Sequence, residues 1–359
     1  MKILICIPNI ENRGGIASFY KTAQKYFSVN YMFFVRSSKN NNIKKYLNNP
    51  FKYFSFAKAL FIEKPSIVHI NTSFGLNSVI RDSIYIVISK LFKRKIIVSF
   101  HGWIENLNIL SHWVTYFLLK NIFFLADCII VLSNEKKDLL SKLGYNKNIQ
   151  IISTIIDDDL FKYHNEQIIE SKIDKTNFNE INILFLARIE ISKGIYETVE
   201  AFKEIFKKNP TVHLYIAGDG NALLNVKEKI KTDKIDNVNF LGYIEDQQKA
   251  DIFFKSHIYI LPSYTEGLPA SLLEAMGFGL PVLVTDVGGM GDVISDGKSG
   301  YKIKVNDIND IVIKFKELCY DLNKFKEISK YNFLYAKNNF LASNVIKKLE
   351  SIYYGELNG

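Results

Sequence analysis

The chain of 359 residues holds only three cysteines, Cys6, Cys128 and Cys319. They are far apart, and the first two sit in apolar, strand-like runs. That excludes a disulfide framework and points to a reducing compartment. No Cys/His cluster has metal-ligand spacing, so no metal is expected. No uncharged apolar run reaches the roughly 18 residues that span a bilayer. The longest candidate, Ser111 to Leu132, is interrupted by Lys120 and Asp127. The opening MKILICIPNI has six residues between Lys2 and Asn9, too few for the apolar region of a signal peptide, and no small-residue cleavage site. A cytoplasmic location is therefore expected. Low-complexity segments and evident internal repeats are also missing.

What is present is ordinary in bulk and uneven in detail. Apolar content of 48% and charged content of 23% suit a folded soluble protein, and the length suggests two domains. The net charge of +9 is concentrated at the front: residues 1–172 carry 23 Lys+Arg against 12 Asp+Glu, and the remainder is slightly acidic. A basic half suits an anionic partner, a membrane surface or nucleic acid. No recognisable nucleic-acid motif is present, so nucleic acid is not the expected partner. Residues 38–62 interleave Lys44, Lys45, Lys52 and Lys58 with Tyr46, Phe51, Tyr53, Phe54, Phe56 and Phe61. Such a stretch either lies at a membrane interface or is an ordinary helix with its lysines in solvent.

The stretch 257–291 organises the chain. His257 to Leu261 reads as a buried strand, Pro262 to Leu268 as a loop, and Pro269 as the first residue of a helix through Met276. Gly277 and Gly279 end that helix, and Pro281 to Thr285 is a second buried strand. This is one strand–helix–strand crossover. Ligands bind outside the carboxyl ends of such strands. The amides of Leu268, Ala270 and Ser271 would form an anion site at the helix start, beside Gly267. Glu266 and Glu274 flank it. Phosphate repels acids, so the acids are expected to hold hydroxyls, and phosphate with hydroxyls suggests a sugar nucleotide. Taken singly, each Glu reads as a surface acid favoured by the helix dipole.

Other candidates lie at matching places. Gly14-Gly15 joins the strand Lys2–Pro8 to a helical pattern, without the full Gly-x-Gly-x-x-Gly spacing. His101-Gly102 follows the strand Ile96–Phe100, where a His is better placed for chemistry than inside a strand. His69, within a strand, reads as a core histidine, and His112 as incidental. Arg188 and Lys193-Gly194 follow the strand Asn182–Ala187, two cations suited to a diphosphate. Gly218 and Tyr243 sit in further loops after strands, and each also reads as a plain surface feature. The run Asp157-Asp158-Asp159 reads as a solvated turn rather than a metal site.

Together these features resemble the retaining glycosyltransferases of family 4, the group 1 type. Glu266-Gly267-Leu268 and Leu273-Glu274-Ala275 match the family's Glu, seven residues, Glu pattern, with Leu268 where Phe is usual. Arg188 and Lys193-Gly194 match its phosphate motif, with Ala187 in place of a Gly. His101-Gly102, Gly14-Gly15 and the loop Thr285–Gly289 also match. The resemblance implies the GT-B fold, two Rossmann-like α/β domains facing each other across a cleft. Expected boundaries are 1–160, a linker 161–180, 181–339, and a helix 340–359 crossing back to the first domain.

The implied activity is transfer of a sugar from a nucleotide diphosphate donor, by family habit a UDP-sugar, with retention and without a cofactor. Arg188 and Lys193 would neutralise the diphosphate, and Glu266 would hold the transferred sugar. Glu274 would hold the ribose, and Tyr243 would lie beside the base. His101 would contact the sugar, and Gly14 and Gly15 would close over the phosphates. The basic first half points to a lipid-linked or surface-polysaccharide acceptor at the inner face of a membrane. A sugar-nucleotide epimerase or phosphorylase of the same fold, and a non-catalytic nucleotide-sugar-binding protein, are the alternatives.

Overall fold

The computed structural model describes residues 1–12, 14–36, 50–103 and 113–358. Lys44, Lys45 and Tyr46 of the basic, aromatic stretch, and His112, lie outside the described residues. The chain divides into two units, Met1–Ile155 with Ala342–Gly359, and Ile156–Leu341.

Six parallel strands form the first unit: β1 Lys2–Ile7, β2 Asn30–Val35, β3 Ile67–Phe74, β4 Lys95–Trp103, β5 Cys128–Val131 and β6 Asn148–Ile151. Their order is β2-β1-β3-β4-β5-β6. Runs such as Ile3–Ile7 and Ile96–Val98 are apolar at every position because both faces of the sheet are covered. Leu4, Cys6, Val68, Ile70, Ile96 and Val98 pack with helices Pro50–Glu63, Leu76–Leu91 and Trp113–Asn121. Ile3, Ile5, Ile7, Ile67 and Ile97 point the other way. They pack with helix Gly15–Ala23 and the last helix, Ala342–Asn358. That last helix buries Val345, Ile346, Leu349 and Tyr353 there. Its Glu350 accepts from the amides of Ser28 and Val29, at 2.6 and 3.0 Å, and from the Ser28 hydroxyl at 2.6 Å.

The second unit repeats the plan. Its strands are β7 Ile181–Leu186, β8 Val212–Ala217, β9 Val238–Gly242, β10 Ile258–Leu261, β11 Val282–Thr285 and β12 Gly300–Ile303. They are parallel, in the order β12-β11-β10-β7-β8-β9. The segment 161–180, expected as a linker, belongs to this unit. It contains helix Glu166–Lys175, capped by the Asn165 side chain, with Ile169 and Ile173 buried. Before it, Phe161 stacks on Phe278 at 5.3 Å. The polar surface of this segment hides two apolar anchors four residues apart, one helical turn. Asp157 caps a short turn through the amide of Asp159 at 3.1 Å. Among the described residues, no three His, Cys, Asp or Glu side chains gather as a metal site.

Both sheets have a point where the strand order reverses, between β1 and β3 and between β7 and β10. Loops leaving neighbouring strands there diverge and open a crevice at the carboxyl ends.

Candidate active site

At the β7/β10 switch point of the second unit, the two diverging loops are tied to each other. The amide of Tyr264 donates to the Ser192 carbonyl at 2.9 Å, and the Ser263 hydroxyl donates to the same oxygen at 3.0 Å. Gly194 has φ +72°, and a Cβ there would lie 2.1 Å from the Pro262 carbonyl oxygen. Only glycine permits that approach. The loop after β11 holds the other side. The amide of Gly289 donates to the Gly267 carbonyl at 2.5 Å. At Gly288, φ +57°, a Cβ would lie 2.0 Å from the Glu266 carbonyl oxygen. The loop from Pro262 to Gly267 is thus held at its start by the approach of Gly194 and at Glu266 by that of Gly288.

This clamp sets the side chains. Lys193 Nζ is 2.7 Å from Glu266 Oε1, and the two side chains are only 13% and 10% exposed. Helix Ala270–Gly277 starts beside them. Pro269, expected as its first residue, is instead the N-cap, extended at φ −71° and ψ 129°. The fixed φ of proline suits either position, and ψ decides it. No side chain caps this helix start. Ser271 is turned to Tyr259, with its hydroxyl 2.7 Å from the Tyr259 OH. Leu268 is buried next to the start. One turn in, the buried Glu274 receives Lys249 Nζ at 2.7 Å.

The remaining predicted residues lie nearby in the sequence order of the sheet. Arg188 is largely exposed after β7 and donates to Glu190 Oε1 at 2.8 Å. Gly218 follows β8, and its amide donates to the Gly242 carbonyl at 2.7 Å. Tyr243 is half exposed after β9, and its hydroxyl donates to Glu245 Oε1 at 2.8 Å.

Sequence reasoning missed Lys249. It is a lysine on helix Asp246–Lys255, and nothing in a spacing of 25 residues links it to Glu274. Without it the buried Glu274 carboxylate would lose its charge-assisted partner. Lys249→Leu is expected to cost about 1–3 kcal/mol of stability, because it leaves the buried Glu274 carboxylate without this partner. Urea unfolding measures the loss.

The β1/β3 switch point of the first unit carries a buried polar network. His101, at the end of β4, places Nε2 2.7 Å from Asn71 Oδ1. Tyr20 donates to the same Oδ1 at 2.9 Å. The Asn71 amide nitrogen faces the Cys6 carbonyl at 3.4 Å, which fixes the amide orientation. Nε2 of His101 therefore carries the hydrogen. Burial, aided by the Arg36 charge, pushes the His101 pKa down to about 4, so the ring is neutral at pH 7 and its Nδ1 is an acceptor. His69 is buried, as expected of a core histidine. It bonds Tyr353 of the last helix and Ser99, each at 2.7 Å. Burial, with the charges of His101 and Arg36, lowers its pKa to about 3. Gly14 and Gly15 stand at the start of helix Gly15–Ala23, which carries Tyr20. Asn71 was not singled out in the sequence because asparagine inside a strand gives no signal there.

Known proteins share this architecture. The model for "Glycosyl transferases group 1" matches residues 166–333, and the model for "Glycosyltransferase Family 4" matches residues 20–160. The chain is a family 4, group 1 glycosyltransferase. Glu266, Glu274, Lys193 and Arg188 all fall within the first match, and His101 within the second. The enzyme is 24% identical over 256 residues to the capsular polysaccharide biosynthesis glycosyltransferase CapM of Staphylococcus aureus, covering 70% of this chain and 67% of that one. Its fold is GT-B. It overlays on sucrose-phosphate synthase of Thermosynechococcus elongatus with a TM-score of 0.78 at 15% identity, covering 99% of both chains. It overlays on Anabaena HepE, solved with UDP and glucose, with a TM-score of 0.75 at 15% identity, again over 99% of each.

Proposed function

We propose that this glycosyltransferase moves a sugar from a nucleotide diphosphate donor, a UDP-sugar, to a glycan or lipid-linked acceptor with retention at the anomeric carbon. One observation carries the reading: two lysine–carboxylate pairs, Lys193–Glu266 and Lys249–Glu274, flank the start of helix Ala270–Gly277 at the switch point of one sheet. Two anion-binding elements and two hydroxyl acceptors in one crevice suit a sugar joined to a diphosphate and a ribose. Lys193, Arg188 and the first amides of the helix bind the diphosphate. Glu266 holds the sugar hydroxyls, and Glu274 holds the ribose.

In the reaction the acceptor oxygen forms a bond to the anomeric carbon on the face from which the diphosphate leaves. The carbon–oxygen electron pair goes to the phosphate oxygen, and a donor phosphate oxygen takes the acceptor proton. The charge that grows on the diphosphate is met by fixed cations and amides, the kind of contribution that is usually largest in catalysis. His101 and the Gly14–Gly15 turn are assigned to the same donor on the motif resemblance, His101 as a neutral acceptor for a sugar hydroxyl. Capsular polysaccharide synthesis by the similar CapM, and UDP and glucose in the structure of HepE, support a surface-polysaccharide pathway and a UDP donor. A lipid-linked acceptor places the enzyme at the inner face of a membrane.

The test is a panel of sugar nucleotides. Slow release of nucleotide diphosphate from one UDP-sugar is expected, and proton NMR of the transferred sugar should show the donor's anomeric configuration. Inversion would overturn the retaining mechanism. Interconversion of the donor sugar without acceptor would replace transfer by epimerisation.

A further inference from the structure

Three neighbouring helices of the first unit present apolar side chains outward. On helix Pro50–Glu63, Phe56 and Leu60 are buried, and Phe51, Phe54, Phe61 and Ile62 form the opposite stripe with Lys58 among them. On Leu76–Leu91, which packs against it, the outward positions at steps of three and four are Leu76, Ile80, Ile84, Val87 and Leu91. On Trp113–Asn121, next in the row, Trp113 and Phe117 point out one turn apart. Phe51, Phe54, Phe61, Ile62, Leu91, Trp113 and Phe117 are each between 54 and 78% exposed. A water-facing surface helix puts its polar stripe outward. These helices bury one apolar stripe against the sheet and expose a second. Contiguous exposed apolar surface of this kind marks a binding face.

The charges identify what covers it. The three helices contain two acids, and neither faces out: Asp82 is buried, and Glu63 is paired with Lys2. Lys52, Lys58 and Lys120 on the helices and Lys93 just after face out or lie at the border, whereas Arg81 is held on Asp82 and Lys90 on Asp127. The cores of protein–protein interfaces are depleted in lysine. A face of Phe, Trp and Leu with lysines interspersed is the composition of an element lying in the headgroup region of a bilayer. Among the described residues no helix is long and apolar enough to cross a membrane, so contact is along the surface.

We propose that the outward face of Pro50–Glu63, Leu76–Leu91 and Trp113–Asn121 is a docking surface for an anionic lipid bilayer. It deepens the reading of a membrane-held acceptor by giving the enzyme a defined surface to sit on. It also moves the membrane contact from a basic stretch in the sequence to an aromatic face formed by three separate segments.

The test is co-flotation of the full chain with phosphatidylcholine vesicles, with and without phosphatidylglycerol. Flotation with the phosphatidylglycerol vesicles is expected, and it should weaken at high salt. Phe51→Ser/Phe54→Ser and Trp113→Ser/Phe117→Ser should each lower vesicle partitioning about tenfold or more. These side chains are exposed, so the variants should keep the wild-type thermal unfolding and the wild-type rate of donor hydrolysis in solution. Lys52→Glu/Lys58→Glu should remove the preference for phosphatidylglycerol. No flotation of the wild type, or unaltered flotation of both aromatic variants, overturns the proposal. So does a concentration-dependent dimer in light scattering that the aromatic substitutions abolish, since the face would then belong to a second copy. Vesicle binding without donor hydrolysis would count against the transferase reading and leave the surface standing.

Discussion

Lys193→Ala is expected to lower kcat by on the order of 10²-fold or more, the loss typical of one transition-state charge contact. The size follows from where the ammonium sits. In the free enzyme it is 2.7 Å from Glu266 Oε1, with both groups mostly buried. On the proposed reading, a bound donor diphosphate leaves the same cation standing between two anions. Alanine removes the charge that meets the leaving group, and it leaves Glu266 uncompensated beside a diphosphate. The second effect raises the KM for the donor beside the fall in kcat, because like charges at close range raise the cost of binding. Lys193→Arg should retain part of the rate. The double variant Lys193→Ala/Glu266→Gln should lose less than the two single losses combined, since the repulsion left by the first change is removed by the second. Single-turnover release of nucleotide from the donor separates these outcomes. Unchanged kcat in a folded Lys193→Ala protein would sink the assignment.

Much of this site can be read before any coordinates. Lys193 and Glu266 stand next to glycines that force loops at strand ends, Glu274 lies in the helix between Pro269 and Gly277, and strand ends at a switch point are where ligands bind. The strands are legible from their composition: Ile258–Leu261 is buried at every position, and Val282–Thr285 is apolar up to its last residue. What escapes is contact between segments far apart in sequence. Lys249 looks like a solvent lysine until the fold sets it on Glu274. Asn71 looks like a misfit in a strand until His101 and Tyr20 converge on its oxygen. The second apolar stripe on Leu76–Leu91 escapes because periodicity alone does not tell which stripe faces the sheet. Residues 161–180 read as a linker because the helix within them is polar apart from its two anchors, Ile169 and Ile173.

Asp82→Ala is expected to destabilise the first unit by about 3–5 kcal/mol, the cost of breaking a buried ion pair from one side. Asp82 is fully buried and Arg36 nearly so. Arg36 Nη1 donates to Asp82 Oδ1, and Arg81 binds the same carboxylate with two bonds of 2.8 Å. Burial alone would raise the Asp82 pKa. The two guanidinium groups outweigh it and hold the carboxyl below its ordinary value of 3.8. Its contribution is therefore complete above about pH 4 and is lost only on acidification through the still lower folded value. Alanine leaves the Arg36 cation in the core without its anion, whereas Arg81 is partly exposed and can turn to water. The damage should extend beyond stability. Arg36 Nη2 also donates to the Asn71 carbonyl, and the Asn71 side chain sets the tautomer of His101. A folded Asp82→Asn protein keeps the shape and loses the charge, and it should show reduced donor turnover at temperatures below its transition. Urea unfolding followed by circular dichroism measures the stability change. A loss under about 1 kcal/mol for Asp82→Ala would mean that Arg36 finds water or another anion, and the chain from Asp82 to His101 would not hold. Replacing both partners, Arg36→Met/Asp82→Leu, should cost less stability than Asp82→Ala alone, because no buried charge is then left without a partner. The same double variant should still lose activity if Arg36 holds Asn71 in place.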